Sequence, residues 1–213
     1  MLQVRELKVS IASVQALRGF SIEVGEGSMV GLVGRNGAGK TSLMRTVMGH
    51  LRVAAGSVSF AGADLARQPR HARARLGIGY MPEDRGLVPE LTVEENILLP
   101  VWTSRTLVAK ERLSFVYGVM PELEAFAQRR ALLLSGGQQK LAALGRALAV
   151  GTKLLLLDEP FEGLAPALSK RLAEVIGGLR GRGLAVLLSQ SDLNHSRSLL
   201  DREVVIERGA NRA

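Results

Sequence analysis

Eight consecutive residues, Gly34-Arg35-Asn36-Gly37-Ala38-Gly39-Lys40-Thr41, with Ser42 following, set glycines, an amine and a hydroxyl at the spacing G-x-x-x-x-G-K-[ST]. Glycines let the backbone curl until successive N–H groups point inward at phosphate oxygens. A following helix adds the positive end of its dipole. Lys40 is then expected to reach the β- and γ-phosphates of a nucleoside triphosphate, and the Thr41 hydroxyl to ligate Mg²⁺. Further along, the apolar run Leu154-Leu155-Leu156-Leu157 closes on Asp158 and Glu159. An acid at the end of a buried strand holds Mg²⁺ directly or through water, which makes Asp158 the candidate ligand. Glu159, free to orient an attacking water, is the candidate general base. Alone, such a run marks only a strand end; behind a phosphate loop it completes a site.

Positioning these groups needs strands that end where the loops begin. Met29 to Val33 is a short apolar run suited to a buried parallel strand, and it leads straight into the glycine loop and a helix-like stretch from Lys40 to Met48. Leu2 to Val9, Phe20 to Val24, Ser57 to Phe60 and Leu76 to Tyr80 read as further strands. From Thr92 to about Phe126 the pattern is helical, with Thr92 and Glu95 spaced as a capping box. A second helix is expected from Gly136 to Val150, a strand over Leu154 to Leu157, a helix from about Pro166 to Leu179, and last strands over Leu184 to Leu188 and Glu203 to Ile206. The expected fold class is α/β, with a mostly parallel core sheet, an antiparallel β portion and an inserted helical subdomain. The whole of 1–213 is read as one domain, its core in 1–91 and 150–213 and the helical subdomain in about 92–149.

Composition bounds the rest. The 213 residues are 46% hydrophobic and 23% charged, an ordinary globular balance. No run approaches the ~18 apolar residues of a membrane span, and the charged, alternating N-terminus is unlike a signal peptide. The lack of cysteine excludes thiolate metal sites and disulfides and fits a reducing compartment, and three scattered histidines argue against a His-based metal site. Twenty-eight basic against 20 acidic residues give +8, which suits a polyphosphate, a nucleic acid or an anionic membrane face. The densest basic run, Arg67, Arg70, His71, Arg73 and Arg75, reads as a solvated helix face. It lacks the aromatic interleaving that nucleic-acid stacking uses, and no nucleic acid is expected as a partner.

Between the two halves of the site lies Leu134-Ser135-Gly136-Gly137-Gln138. With it the chain resembles an ATP-binding-cassette (ABC) ATPase, over residues 1 to about 209. Within that family it is most similar to the ATPase subunits of bacterial branched-chain amino acid importers, through residues 34–41, Ile78-Gly-Tyr-Met-Pro-Glu83, Pro89-Glu-Leu-Thr-Val-Glu-Glu-Asn96 and Glu162-Gly-Leu-Ala-Pro166. Ser135 is suited to cap a helix whose N-terminus and glycine N–H groups offer a second anion site. The resemblance implies that this tip faces the γ-phosphate held by a partner subunit, so that ATP lies between two cassettes, identical or different. It places Glu83 at the Q-loop position that touches Mg²⁺ or water. It also implies transmembrane permease subunits whose coupling helix docks on the section from Thr92 to Arg130, a periplasmic binding protein acting indirectly, and a peripheral location on the cytoplasmic face of the inner membrane. Trp102 is read as packing, with that groove as the alternative.

The pattern departs from the family in three places. The switch histidine position holds Ser191, and His195, four residues on in an expected helix, is too far displaced to replace it. The aromatic that stacks on adenine is replaced by Ile11, whose aliphatic contact recovers only part of the ~1–3 kcal/mol of base stacking. The chain also ends at Ala213, where such relatives continue with another strand and helix. An own site slowed by Ser191 follows as an expectation. A soluble, non-transport ABC ATPase, a small P-loop kinase and a purely regulatory nucleotide-binding subunit are the competing readings.

Overall fold

Strands buried on both faces must be apolar at every position, and the centre of this molecule is built from such strands. The computed structural model describes residues 1–192 and 197–212. The chain runs β1 (Leu2–Ile11), β2 (Val14–Val24), β3 (Met29–Val33), α1 (Lys40–Val47), β4 (Ala55–Phe60), β5 (Ala63–Asp64), α2 (Ala72–Arg75), β6 (Ile78–Met81), α3 (Val93–Trp102), α4 (Ala109–Val119), α5 (Gly136–Val150), β7 (Leu154–Asp158), α6 (Pro166–Gly177), β8 (Ala185–Gln190), β9 (Arg202–Glu207) and β10 (Ala210–Asn211). A six-stranded sheet has the order β10-β9-β3-β8-β7-β6, parallel except at β10. A four-stranded antiparallel sheet has the order β2-β1-β4-β5. The fold class is therefore α/β with a mostly parallel core sheet, an antiparallel portion and helices set between β6 and β7.

Alternation along the buried strands divides the core. Leu154, Leu156, Ala185, Leu187, Val30 and Leu32 face α1 and the antiparallel sheet. Leu155, Leu157, Val186 and Leu188 face the helical side, with Ile97, Val116, Leu144, Leu148 and Leu172. All ten of these strand positions are at most 1% exposed, so one substitution there disturbs one layer without reaching the other.

Several expected boundaries move for local reasons. The long helical stretch is broken twice. Pro100 lacks an N–H and sits in the last turn of α3, and Ser104 Oγ then accepts from the N–H groups of Thr106 and Leu107 to reverse the chain. Met120, restricted by Pro121, ends α4 at φ −135°, and Pro121–Phe126 forms a 3-10 turn. Leu76, expected to open a strand, instead caps α2 through its N–H to Ala72 O, so β6 begins at Ile78. The basic run is only partly solvated. Arg67, Arg70, His71 and Arg75 are exposed, but Arg73 is 2% exposed and gives its guanidinium to the carbonyls of Val47, Leu65, Gln68 and Pro69. It cross-links a turn, which periodicity alone does not reveal. His195 lies outside the described residues.

Candidate nucleotide site

Parallel sheets present ligands at the carboxyl ends of their strands, and register brings three such ends together here. Val33 lies opposite Gln190 and Asp158 opposite Ser189. Residues 34–41, 158–159 and 191 therefore leave one edge side by side. The Gly34 N–H donates to Gln190 O at 3.1 Å, and a Cβ on Gly34 would stand 2.4 Å from Ile206 O, so only glycine fits against β9. Gly39, the N-cap of α1, has φ 114° in the left-handed region. The first turn of α1 carries no acid, which leaves its dipole for an anion.

The charged groups of this edge are buried and interlocked. Lys40 is 5% exposed. Its Nζ donates to Gly34 O (2.5 Å), Arg35 O (3.2 Å) and Ser191 Oγ (3.2 Å), and lies 3.1 Å from Glu159 Oε1. Asp158 is fully buried. It accepts from Ser189 Oγ at 2.5 Å and from the Thr41 hydroxyl, with the Tyr80 hydroxyl at 3.5 Å. Burial raises the Asp158 carboxyl above the usual carboxylate range, against the Ser189 and Thr41 hydrogen bonds. Burial, then the Asp158 charge, pushes the Tyr80 phenol well above its ordinary range, which leaves it a donor. Glu159, 8% exposed, holds a left-handed φ of 46°. Its N–H donates to Ser189 O and Oγ. Ser191 Oγ lies 2.7 Å from both Glu159 Oε1 and Asn36 Oδ1, so its single proton serves one at a time, while the Ser191 N–H donates to Glu159 Oε2 at 3.2 Å.

A cleft of about 380 Å³ runs beside this edge, lined by Asn36, Gly37, Gly39, Lys40, Thr41, Ser42, Glu83 and Glu159, and at its far end by Val14, Gln15, Ala16, Arg18 and Arg208. Glu83 is thus brought to the cradle. Ile11 is not among the lining residues; it ends β1, pairs with Val14 across the turn and is 45% exposed. Its cross-strand partner supplies the cleft wall. Among the described residues no cluster of His, Cys, Asp and Glu would hold a metal by itself. The donor set nevertheless suits a divalent cation shared with phosphate oxygens. Thr41 and Asp158 are in contact, and burial and the charges of Asp158, Glu162 and Glu159 raise the Glu83 carboxyl, a repulsion that a cation relieves.

Leu134 to Gln138 form a separate construction. Ser135 caps α5: its Oγ accepts from the Gln138 N–H (3.3 Å), and Gln138 Oε1 accepts from the Ser135 N–H (3.0 Å). The amides of Gly136 and Gly137 have no acceptor among the described residues. Leu134 is buried as an anchor, whereas Ser135 and Gly136 are exposed. The structure places this tip at the surface and does not bring it to the cradle of the same chain.

Sequence reasoning missed Ser189, which holds both Asp158 and Glu159, although pairing the ends of the two apolar strands would have set it opposite Asp158. It also missed Asn36 as the partner of Ser191, and Lys140, a buried amine within the signature helix. A groove of about 1000 Å³ lies between the core and the helical section, lined among others by Arg45, His50, Tyr80, Glu83, Pro100 and Arg146. Trp102 is 55% exposed and outside that lining, and it does not act as core packing either.

A phosphate loop feeding a helix, an acid pair on the neighbouring strand end and an α/β sheet define a P-loop nucleoside triphosphatase. The family model described as ABC transporter matches residues 17–162. The high-affinity branched-chain amino acid transport ATP-binding protein BraG of Pseudomonas aeruginosa is 37% identical over 209 residues, covering 98% of this chain and 90% of BraG. The lipopolysaccharide export system ATP-binding protein LptB of Haemophilus influenzae is 32% identical over 211 residues, covering 98% and 88%. The dimeric bacterial cassette MJ0796 superposes with a TM-score of 0.90 at 22% identity, covering 100% of this chain and 97% of that one, and its dimeric form bound to ADP and Pi with 0.89, at the same identity and coverage. The chain belongs to the ABC transporter family, as an ATP-binding subunit.

Proposed function

We propose that this chain binds Mg-ATP in its cradle, clamps it against the signature tip of a second cassette, and hydrolyses it to drive import of branched-chain or other hydrophobic amino acids. The observation that carries the reading is the convergence of Lys40, Thr41, Asp158 and Glu159 at one strand edge, with Ser135 displayed elsewhere on the surface. Gly34 to Ser42 bind the phosphates, and Lys40 exchanges its carbonyl and Glu159 partners for phosphate oxygens. Thr41 and Asp158, with Glu83, would hold Mg²⁺, which would supply charge neutralisation to the bound phosphates. Glu159, released from Lys40, takes a proton from the attacking water. Ser191, already within 2.7 Å of that carboxylate, orients it and offers one weaker donor where a histidine would be stronger, which slows this chain's own site. Leu134 to Gln138 serve the partner's ATP. At the base end, Val14 gives an aliphatic contact beside Ile11.

Transmembrane permease subunits are the further partners, docked on the groove beside Glu83, with a periplasmic binding protein acting through them. The chain then sits peripherally on the cytoplasmic face of the membrane. No helix among the described residues is long and apolar enough to cross it. Similarity to BraG exceeds that to LptB, which favours import over export. The test is isolation of the membrane complex that retains this chain, followed by reconstitution in vesicles. ATP-driven uptake of leucine, isoleucine or valine, abolished by chelating Mg²⁺, is expected. A complex that extracts lipopolysaccharide would contradict the import reading, and one that takes up no hydrophobic amino acid at all would contradict the proposed substrate class.

A further inference from the structure

Lys140 is 4% exposed, yet among the described residues no carboxylate lies within ion-pair distance of it. Its ammonium donates instead to two backbone carbonyls, Glu159 O at 2.9 Å and Glu162 O at a shorter distance. Burial lowers its affinity for a proton, against the charges of Glu162, Glu159 and Glu83. Sinking a cation to bond only main chain is costly, and a neutral residue of the same length would pack in its place without that cost.

The two carbonyls are the ends of one turn. The Glu162 N–H donates to Glu159 O at 3.2 Å, closing residues 159–162, and Lys140 bridges both ends of that closure. Glu159 itself holds φ 46°, a conformation that costs a non-glycine residue ~1 kcal/mol or more and persists only where surrounding contacts enforce it. On one side the enforcing contacts are the bonds from its N–H to Ser189. On the other side they are the turn and Lys140. Lys140 also stands five residues after Ser135 on α5, so roughly 8 Å of rigid helix links the signature tip to the main chain of Glu159.

We propose that Lys140 is a positioning residue that fixes the Glu159 main chain to the signature helix, so that movement of the tip on its partner's nucleotide is passed to the carboxylate of this chain's own site. The inference rests on Glu159 acting as the base, as proposed above. It acts on Glu159 through backbone alone and touches no nucleotide.

The test compares wild type with Lys140→Met, which keeps the length and removes the donors, and Lys140→Gln, which keeps one donor group. Three quantities are read: ATP affinity, kcat, and amide hydrogen exchange across 159–163. Lys140→Met is expected to lose about tenfold or more in kcat, because small misplacements of a reacting group are costly. ATP affinity should stay within about twofold, the split that separates a transition-state role from ground-state binding. Exchange at 159–163 should accelerate while that of α5 does not, and Lys140→Gln should fall between the two. The proposal is overturned if kcat stays within about twofold of wild type, or if kcat, affinity and melting temperature decline together. Should Lys140→Met fail to fold, the same split in Lys140→Gln decides. A wild-type chain that binds ATP yet never hydrolyses it would count against the hydrolytic reading instead, and exchange at 159–163 would then judge Lys140 alone, with unchanged exchange overturning it.

Discussion

At the cradle, Lys40, Asp158 and Glu159 are each at most 8% exposed, and every one of them bonds to another part of the site. At the signature tip, Ser135 and Gly136 are exposed, no acid or base stands in the first turn, and the cap is closed by the tip's own Gln138. Both regions offer backbone amides to an anion. The cradle surrounds its ligand with formal charge, so a phosphate must compete with Glu159 for Lys40. The tip offers a helix end with no charged side chain in its own first turn, beside the Arg85 guanidinium that donates to Gln139 Oε1 at 2.6 Å, and a helix dipole at a surface is worth only ~0.3–1 kcal/mol. Such a tip does not recruit a nucleotide unaided; it gains effect when pressed against a phosphate already held. The difference teaches a division of labour: binding belongs to the cradle, and commitment to hydrolysis to the tip.

The largest expected effect breaks the cradle's chemistry while leaving its grip. Glu159→Gln should lower phosphate release by ~10²–10⁴-fold, the range contributed by a general base, with ATP affinity retained or improved because Lys40 loses a competing carboxylate. Comparable loss of affinity in equilibrium binding would mean that Glu159 shapes the cradle rather than the chemistry. Next, Ser135→Arg, which fills the tip with a long side chain, should cut turnover by ~10²-fold while ATP still binds each chain normally. Nucleotide titration together with steady-state turnover separates these. Smallest are the stability effects, and they should rank the two regions in the same order. Ser189→Ala removes a buried bond to a carboxyl group and should cost ~2 kcal/mol, near 4–8 °C in melting temperature. Ser135→Ala removes a helix cap and should cost ~1 kcal/mol. Calorimetry that found Ser135→Ala the more damaging would reverse the comparison.

How far the sequence disclosed these regions follows from the range of the forces involved. The phosphate loop, the capping box at Thr92, the helix cap at Ser135, and the start and end of α5 were legible, because each depends on residues a few positions apart. Buried strands β3 and β7 were legible because a sheet covered on both faces admits only apolar residues. Contacts across elements were not. Ser189 meets Asp158 through strand register, Arg73 meets Val47 through a turn, and Lys140 meets Glu162 through the packing of a helix against a loop. The short β5 and β10 are held by pairing rather than by their own propensity. Ile11, chosen by its place before Val14, was displaced from the cleft by the geometry of a hairpin turn.

The central claim is that one cradle and a second chain's tip make one site, and mixing two crippled chains tests it directly. Lys40→Ala removes the cradle's cation and Ser135→Arg blocks the tip, so each variant alone should be inactive. In a mixed pair, the sound cradle of the Ser135→Arg chain meets the sound tip of the Lys40→Ala chain. The account predicts that ATP turnover reappears on mixing and rises with the mixed-pair fraction. Turnover that stays at the sum of the two separate variants, while pairs demonstrably form, would contradict it.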